Sequence, residues 1–245
     1  QSYAITVIDL PPVANNSSLT VAYNAAATNV PLNITGGTPT SLTLGTLPAN
    51  GTAVVTGTTI TYQPNAGYAG ADSFSYTATN SGGTSAPATV SVTVQDPVIS
   101  ITPSGGFTAA VAAAYTQTFT FNGGAQPWTG YQVTNLPTGL SITGTTANTV
   151  TVSGTPTQAG SFNLNVSATD SSTGNGPFAV GEAFTLNVGP PALTLAPAPT
   201  TFAPTYGAAF SQTFTAGGGI GPYTYTVTGT LPTGLTLSSG GVLSG

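Results

Sequence analysis

A repeat of 95 residues is the sequence feature that most constrains the fold of this chain. The sequence LPTGL at Leu136–Leu140 returns unchanged at Leu231–Leu235, and YTQTF at Tyr115–Phe119 returns as FSQTF at Phe210–Phe214. A repeat of this length is too long for one unit of a solenoid and fits one small β-sandwich. The sequence therefore predicts an all-β chain built from tandem β-sandwich domains.

Three stretches of the sequence share a pattern that indicates the last strand of a domain. In residues 1–9, in Val90–Asp96 and in Phe184–Val188, apolar and polar residues alternate and a proline follows within a few positions. Alternation of this kind indicates a half-buried strand, and the proline ends it. The predicted domains are residues 10–96, 97–189 and 190–245, and residues 1–9 are predicted to be the last strand of a preceding or neighbouring domain.

The first of these domains contains seven short runs typical of strands. Turn residues, mostly Gly, Pro and Asn, separate the runs. Seven strands in a domain of this size predict an immunoglobulin-like (Ig-like) sandwich. The predicted strands are Leu19–Tyr23, Val30–Ile34, Ser41–Leu44, Thr52–Val55, Thr58–Tyr62, Asp72–Ala78 and Ala88–Val94.

A motif in the first domain resembles a known bacterial family. The segment begins with NGT at Asn50–Thr52 and continues with YQPNAGYAGADSFSY at Tyr62–Tyr76. This pattern is similar to the signature of bacterial cadherin-like and Ig-like tandem repeats, and we extend the resemblance to residues 12–96. It implies an Ig-like domain of the kind that forms long arrays in secreted and surface adhesins.

The two later domains resemble a second family. The LPTGL motif, the sequence VSGTP at Val152–Pro156 and the strand pattern of Phe162–Asp170 are similar to the putative-Ig repeats of bacterial surface proteins. This resemblance covers residues 98–188 and 191–245. It implies tandem Ig-like sandwiches in an extracellular or cell-surface location.

The near-absence of charge excludes several functions. The chain has five acidic side chains, no Lys, Arg or His, and a net charge of −5. Without cations it cannot neutralise nucleic-acid phosphates or bind an anionic membrane surface, and it has no apolar run of about 18 residues that would predict membrane insertion. Without Cys or His it lacks the common nucleophile, general base and zinc ligands. We therefore predict no enzyme, no nucleic-acid partner and no cofactor other than the calcium considered next.

Four acidic residues are candidates for binding calcium. Asp9 and Asp96 stand just before interdomain prolines, where cadherin-like arrays place calcium-binding carboxylates. Asp170 and Glu182 would contribute only if the fold brought them close to the others. Calcium requires six to eight oxygen ligands, so one carboxylate at each junction is a weak signal. The alternative is that these side chains cap turns or are simply solvated.

Asp72 matches the acidic residue of the family signature. We expect its carboxylate to accept a local hydrogen bond that closes the Gly67–Gly70 turn onto the strand Phe74–Tyr76.

Trp128, with Pro127 and Tyr131, is the candidate carbohydrate platform, because an indole face stacks well on a sugar ring. Pro222 and Tyr223 occupy the equivalent place in the third domain. The alternative is therefore that an aromatic after proline is a core or edge feature of the repeat.

The third domain is expected to be incomplete within the chain. Its apolar residues need a partner layer, and residues 1–9 are an available apolar strand. The two alternatives are that the polypeptide continues past Gly245 and that another copy supplies the strands. The predicted assembly residues are Tyr3, Ile5, Val7, Tyr223, Tyr225, Leu237 and Leu243.

These observations predict a structural role. A surface rich in Thr, Ser, Asn and Gly lacks the charge repulsion that keeps domains apart, so copies can pack head to tail and also laterally. We predict a structural subunit or repeat segment of an extracellular fibre, filament or adhesin stalk. The alternative is an adhesive or carbohydrate-binding module that recognises glycans through loops around Trp128.

Overall fold

The computed structural model describes residues 9–198, 200–218 and 221–245. The described residues fold into three consecutive units, which we call the first (residues 10–96), second (97–189) and third (190–245) unit. All secondary-structure elements in the described residues are β-strands, so the predicted all-β class is confirmed.

The first unit is a sandwich in which the long strand β8 is central. β8 pairs with β10, which in turn pairs with β2, while β5 and β9 also pair with β8. The facing strands form a sheet in the order β3-β7-β6, and β1 pairs with β4. The strands are β1 (Pro12–Asn15), β2 (Ser17–Val21), β3 (Thr28–Asn29), β4 (Asn33–Gly36), β5 (Ser41–Leu44), β6 (Gly51–Thr56), β7 (Thr59–Pro64), β8 (Tyr68–Asn80), β9 (Gly83–Thr84) and β10 (Ala88–Val94).

Alternation along these strands builds the core of the first unit. In β10 every second side chain is buried, from Ala88 to Val94, as expected for a strand with one face on a core. Tyr62, Phe74 and Tyr76 are the largest fully buried side chains of this unit.

The predicted strands of the first unit agree with the structure in most places. Ser41–Leu44 and Ala88–Val94 are confirmed to the residue. The single strand predicted over Val30–Ile34 is wrong, because the structure has two separate strands, β3 and β4, on either side of Pro31. Proline has no N–H to donate to a ladder, so it interrupts the pairing.

The second unit is a sandwich of two four-stranded sheets. One has the order β11-β13-β16-β15, and the other has the order β12-β19-β17-β14. Aromatic and aliphatic side chains from both sheets, including Phe119, Trp128 and Leu164, fill the space between them. The strands are β11 (Ser100–Thr102), β12 (Phe107–Ala110), β13 (Tyr115–Asn122), β14 (Thr129–Thr134), β15 (Leu140–Thr145), β16 (Thr149–Gly154), β17 (Gly160–Thr169), β18 (Thr173–Gly174) and β19 (Ala179–Gly189).

The LPTGL motif forms a tight corner before β15. The Leu140 N–H donates to the Pro137 carbonyl at 3.1 Å. Gly139 has φ +95°, and a Cβ at this position would lie 2.0 Å from the Thr155 carbonyl oxygen. Only glycine fits there, because the backbone is both left-handed and closely approached.

The third unit repeats the first sheet of the second unit. Its corner is the same, since the Leu235 N–H donates to the Pro232 carbonyl at 3.1 Å. Its strands pair in the orders β20-β22 and β21-β24-β23. They are β20 (Thr194–Ala196), β21 (Ser211–Thr213), β22 (Thr215–Gly217), β23 (Thr236–Leu237) and β24 (Val242–Ser244).

Candidate functional site

The site with the most specific polar geometry is the joint between the first and second units. The beginning of β8 pairs in parallel with β18, with Tyr68 opposite Thr173 and Ala69 opposite Gly174. The Thr173 N–H donates to the Gly67 carbonyl at 2.9 Å, and the Asn175 N–H donates to the Ala69 carbonyl at 2.8 Å. The sheet of the first unit therefore continues across the domain boundary.

Glycine residues allow the backbones of the two units to approach closely at this joint. Gly174 has φ +80°, and a Cβ there would lie 2.0 Å from the Ala69 carbonyl oxygen. Gly67 faces Ala125 of the second unit, and its N–H donates to the Asn24 side-chain oxygen at 2.8 Å. Any larger residue at Gly174 would push the two backbones apart.

Asp170 organises the second unit's half of the joint. Its side chain is 2% exposed. The carboxylate accepts hydrogen bonds from the N–H groups of Ala125 at 3.0 Å, Ser172 at 3.1 Å and Phe178 at 2.7 Å, and from the Ser172 hydroxyl. Asp170 thus joins the loop between β13 and β14, through Ala125, to both ends of the segment between β17 and β19.

The hydrogen bonds to Asp170 also explain its charge state. Burial by itself raises the pKa of a carboxyl group. The Ser172 hydroxyl and the N–H groups of Phe178, Ser172 and Ala125 outweigh burial and lower the pKa of Asp170 below its ordinary value of 3.8. The buried carboxylate is therefore ionised at neutral pH without any cation in the chain.

A hydrogen-bond relay carries this network into the first unit. The Ser172 hydroxyl donates to Asp170, so it accepts from the Tyr23 hydroxyl, which lies 2.6 Å away. On the rim of the joint, the Asn175 side-chain amide donates to Asp96 at 3.1 Å. At least four hydrogen bonds thus cross the boundary, two of them from backbone N–H groups and two between side chains. At roughly 0.5–1.5 kcal/mol each, they contribute about 2–6 kcal/mol before the loss of interdomain freedom is counted.

Asp72 makes a second buried carboxylate network, inside the first unit. It accepts from the N–H groups of Ala49, Asn50 and Ser73 and from the Tyr62 hydroxyl at 2.8 Å. The prediction that Asp72 closes the Gly67–Gly70 turn is wrong, because its bonds secure the loop before β6 instead. Burial and the hydrogen bond to Asp72 raise the pKa of Tyr62 far above its ordinary value of 10.0.

The structure distributes the four calcium candidates among different partners. Asp9 is exposed and accepts from the Ser81 hydroxyl, and Glu182 accepts from the Ile101 N–H at 3.1 Å. Asp96 and Asp170 both belong to the joint, but they bind different groups, as described above. Within residues 9–198, 200–218 and 221–245, no three His, Cys, Asp or Glu side chains are grouped closely enough to hold a metal ion.

Trp128 lies in the core of the second unit. Its side chain is 2% exposed and packs against Phe121 at a ring-centroid distance of 5.3 Å. The prediction of a carbohydrate platform at Trp128 is wrong, since a buried indole presents no face to a sugar ring. The alternative, an aromatic core feature of the repeat, describes the structure. Its counterpart Tyr223 is 37% exposed.

The predicted assembly residues fall into two groups. Tyr3, Ile5 and Val7 lie outside the described residues. Tyr225, Leu237 and Leu243 line an apolar groove in the third unit, and Tyr223 lies at an adjoining depression. Their role in assembly stays a prediction.

The joint residues Tyr23, Ser172 and Asn175 were not predicted from the sequence. Tyr23 and Ser172 are 149 positions apart, and nothing local indicates that they meet. The one available signal was the Ser-, Thr- and Gly-rich segment Ser171–Gly176, which is longer than a hairpin connection requires.

The fold and the joint define a class of protein, the tandem Ig-like β-sandwich array. Residues 9–93 match the family model described as Bacterial Ig domain, and residues 190–245 match the one described as Putative Ig domain. The first unit is therefore similar to the bacterial Ig family and the third unit to the putative Ig family, which confirms the resemblance stated for these segments. Both families are generally non-enzymatic and are typical of extracellular or surface proteins.

Solved structures similar to the chain include several multidomain proteins. A crystal structure of three titin domains shares 15% identity, covering 73% of this chain and 66% of the titin chain, with a TM-score of 0.42. A human mucin-like protocadherin fragment shares 14% identity over 73% of this chain and 98% of its own, with a TM-score of 0.31. An endo-fucoidan hydrolase of glycoside hydrolase family 107 shares 21% identity over 73% of this chain, with a TM-score of 0.34, and the chain spans 29% of its length. No curated protein sequence matches the chain.

The part of the chain that the structure describes contains no helix that is long and apolar enough to be a candidate membrane span.

Proposed function

We propose that this chain is a repeat segment of an extracellular fibre or adhesin stalk, in which Ig-like units follow one another head to tail. The observation that carries the proposal is the joint between the first and second units. A flexible linker would let the two domains tumble, whereas backbone hydrogen bonds between β8 and β18 hold them in one orientation. A stalk that sets a distance needs joints of this kind.

The pairing of the terminal strands supports a load-bearing role. In the first unit, β2 lies near the beginning and β10 is the last strand, and they pair in parallel over five residue pairs, Val90–Val94 with Ser17–Val21. Tension applied through the ends of the unit pulls these two strands in opposite directions along their length. The hydrogen bonds between them are then loaded together rather than one after another.

The second unit repeats this arrangement. Its early strand β12 pairs in parallel with its last strand β19, from Phe107 opposite Leu186 to Ala110 opposite Gly189. Two consecutive domains therefore present the same shear geometry to a force along the chain.

The low surface charge supports contacts with further copies of the chain. Its five acidic side chains carry the whole net charge of −5, and two of them, Asp72 and Asp170, are buried. Little electrostatic repulsion then opposes head-to-tail or lateral packing of neighbouring arrays.

Single-molecule force spectroscopy tests this function. With the whole chain tethered at its two ends, we expect two separate unfolding peaks, each releasing roughly 25–30 nm of chain, for the first and second units. The matched control uses the absence of native Cys. Attachment through Thr58→Cys, in the exposed β6–β7 turn, leaves β2 outside the loaded segment. The peak of the first unit should then fall to a lower force, while that of the second unit stays unchanged.

Two results of the force measurement would contradict the proposal. If both units extend without resolvable peaks, or if the first unit resists equally well from either attachment point, the parallel terminal strands bear no particular load. The stalk function then loses its mechanical support.

A further inference from the structure

Strand β6 of the first unit is the free edge of the sheet β3-β7-β6. It pairs with β7 from Gly51 opposite Pro64 to Thr56 opposite Thr59, without any register shift. Among residues 9–198, 200–218 and 221–245, no further strand pairs with β6. One side of the β6 backbone is therefore open to a partner strand.

The register shows which residues of β6 face this open side. Thr56 and Thr59 flank a two-residue turn and form a hydrogen-bonded pair, so the pair next to them, Val55 with Ile60, is of the non-hydrogen-bonded kind. The Ile60 carbonyl accepts instead from the Val30 N–H, at 2.8 Å on the far side of β7. The backbone N–H and C=O of Val55 therefore point away from β7, toward the open side.

Because this pattern repeats every two residues, Ala53 and Gly51 also turn their backbone groups to the open side. Pro64 lies opposite Gly51 and agrees with this, since a proline has no N–H to give to a partner. The side chains of Ala53 and Val55 pack against the core of the first unit but are only partly buried. On the other face of β6, the side chain of Val54 is 50% exposed. A strand added at this edge would cover all three side chains.

The edge formed by β6 lacks the usual protection against pairing. Natural proteins protect their sheet edges with charged side chains, prolines, bulges or very short strands. The sequence of β6, GTAVVT, contains no charge and no proline. The other six-residue edge strands of the first two units, β14 and β15, both have register shifts, and the edge strand β1 contains Pro12. In these two units, β6 is therefore the longest edge strand without such a device.

A second copy of the chain is the occupant that matches this edge. Two β6 strands that meet antiparallel about a twofold axis present the same uncharged edge to each other. With the axis at Ala53, this residue pairs with its own symmetry mate and Gly51 pairs with Val55, so all the open backbone groups of the three residues are used. On the exposed face, Val54 of one copy then lies opposite Thr52 of the other.

We propose that β6 joins two copies of the chain side by side, by antiparallel pairing of β6 with β6 of the second copy, centred on Ala53. The two three-stranded sheets then continue into each other. The joint stays free, because β18 pairs with β8 in the opposite sheet. This proposal names the surface for the lateral contact in the proposed function, and it rests on that function only in this respect.

Sedimentation equilibrium of the whole chain over a range of concentrations tests the proposal. We expect the wild-type chain to form reversible dimers. Ala53→Pro removes an N–H from the open side, and the proline ring obstructs the second strand, whereas the hydrogen bonds to β7 are kept. We expect this substitution to raise the dissociation constant by about tenfold or more. Hydrogen exchange of the β7 amides shows whether the variant keeps its fold.

A pair of lysine variants provides a matched control. Val54→Lys places a charge at the proposed contact, and Thr93→Lys places the same charge on the exposed face of β10 in the opposite sheet. We expect Val54→Lys to weaken dimerisation by about tenfold or more, because a charged side chain on an edge strand opposes pairing. Thr93→Lys should leave the dissociation constant at the wild-type value.

Cysteine cross-linking tests the register separately, since the described chain has no native Cys. Val54 and Thr52 of the second copy would form a non-hydrogen-bonded pair with their Cα atoms about 4.5 Å apart, which is within the range of a disulfide. A mixture of Thr52→Cys and Val54→Cys proteins should therefore form the mixed disulfide several-fold faster than either protein cross-links to itself.

Three results would overturn the proposal. They are a chain that stays monomeric at every concentration, dimers that Ala53→Pro and Val54→Lys weaken no more than Thr93→Lys does, and cross-linking without a preference for the mixed disulfide. The force measurement uses single tethered chains and does not depend on dimerisation. Failure of the lateral contact and failure of the load-bearing role can therefore be distinguished.

Discussion

Replacing Asp170 with Asn tests the physical account of the joint most directly. The substitution keeps the size of the side chain but removes the charge and turns one of two accepting oxygens into a donor. That donor would face either the Ala125 N–H or the N–H groups of Ser172 and Phe178, at distances of 2.7–3.1 Å. A buried donor would then oppose a buried donor.

The magnitude follows from the number of bonds lost. Hydrogen bonds to a buried charged group contribute about 1.5–3 kcal/mol each, offset in part by the desolvation of the carboxylate. We expect Asp170→Asn to lower the free energy of unfolding of the second unit by about 2–4 kcal/mol. In a domain of this size that corresponds to a melting temperature lower by roughly 10–25 °C.

Trp128 provides a selective reporter for this measurement. It is the single tryptophan of the chain and lies in the core of the second unit, so its fluorescence follows that unit alone. The matched control is Glu182→Gln, an acid-to-amide change in the same unit whose amide oxygen can still accept from the Ile101 N–H. We expect the control to shift the free energy of unfolding by less than about 0.5 kcal/mol.

The loss of stability caused by Asp170→Asn should depend on pH. The pKa of Asp170 is lower in the fold than its ordinary value of 3.8, so its contribution to stability is present above that value and is lost as the pH falls through the folded pKa. The wild-type second unit should therefore lose more stability than Asp170→Asn between about pH 5 and pH 2. An Asp170→Asn protein with the wild-type melting temperature and the wild-type acid profile would refute this reasoning.

Three further predictions concern the units separately and together. Tyr62→Phe should destabilise the first unit by about 1–2 kcal/mol in urea unfolding, because it removes a donor from the buried Asp72, whereas Tyr206→Phe, at a fully exposed position, should be silent. The free energy of unfolding should be constant from about pH 6 to 9 and should fall above about pH 10. Burial raises the pKa of several tyrosines, and the stability they contribute is lost as the pH rises through the pKa of the folded state. Urea midpoints at pH 7, 9 and 11 measure this effect, and a flat profile to pH 11 would count against it. These tyrosines are Tyr62, Tyr68, Tyr76, Tyr115 and Tyr131. Trypsin should leave the mass of the chain unchanged even after denaturation, because the sequence has no Lys or Arg, and discrete fragments in the mass spectrum would contradict this.

Local pattern was sufficient for the fold class. Strands such as Ser41–Leu44 and Ala88–Val94 could be predicted because side chains alternate between core and solvent with a period of two. The LPTGL corner was predictable because a left-handed glycine beside a proline has few alternatives. The shared register of β15–β16 and β23–β24 follows from the repeat itself.

The candidate site required the structure. The burial of Trp128 could not be predicted, because an aromatic after a proline suits both a core and an exposed platform. The partners of Asp72 and Asp170 are backbone N–H groups, and every residue except proline carries one, so no sequence pattern distinguishes the right donors.

Composition, repeat length and residue periodicity thus establish two things without coordinates: an all-β tandem array and a chain with no side-chain cation for a salt bridge. These are properties of single residues or of neighbours along the chain. The relay from Asp170 to the first unit joins Ser172 to Tyr23, which are 149 positions apart, and the strand pair across the domain boundary joins Tyr68 to Thr173. Such contacts depend on how two folded domains meet in space, and only the tertiary structure decides that.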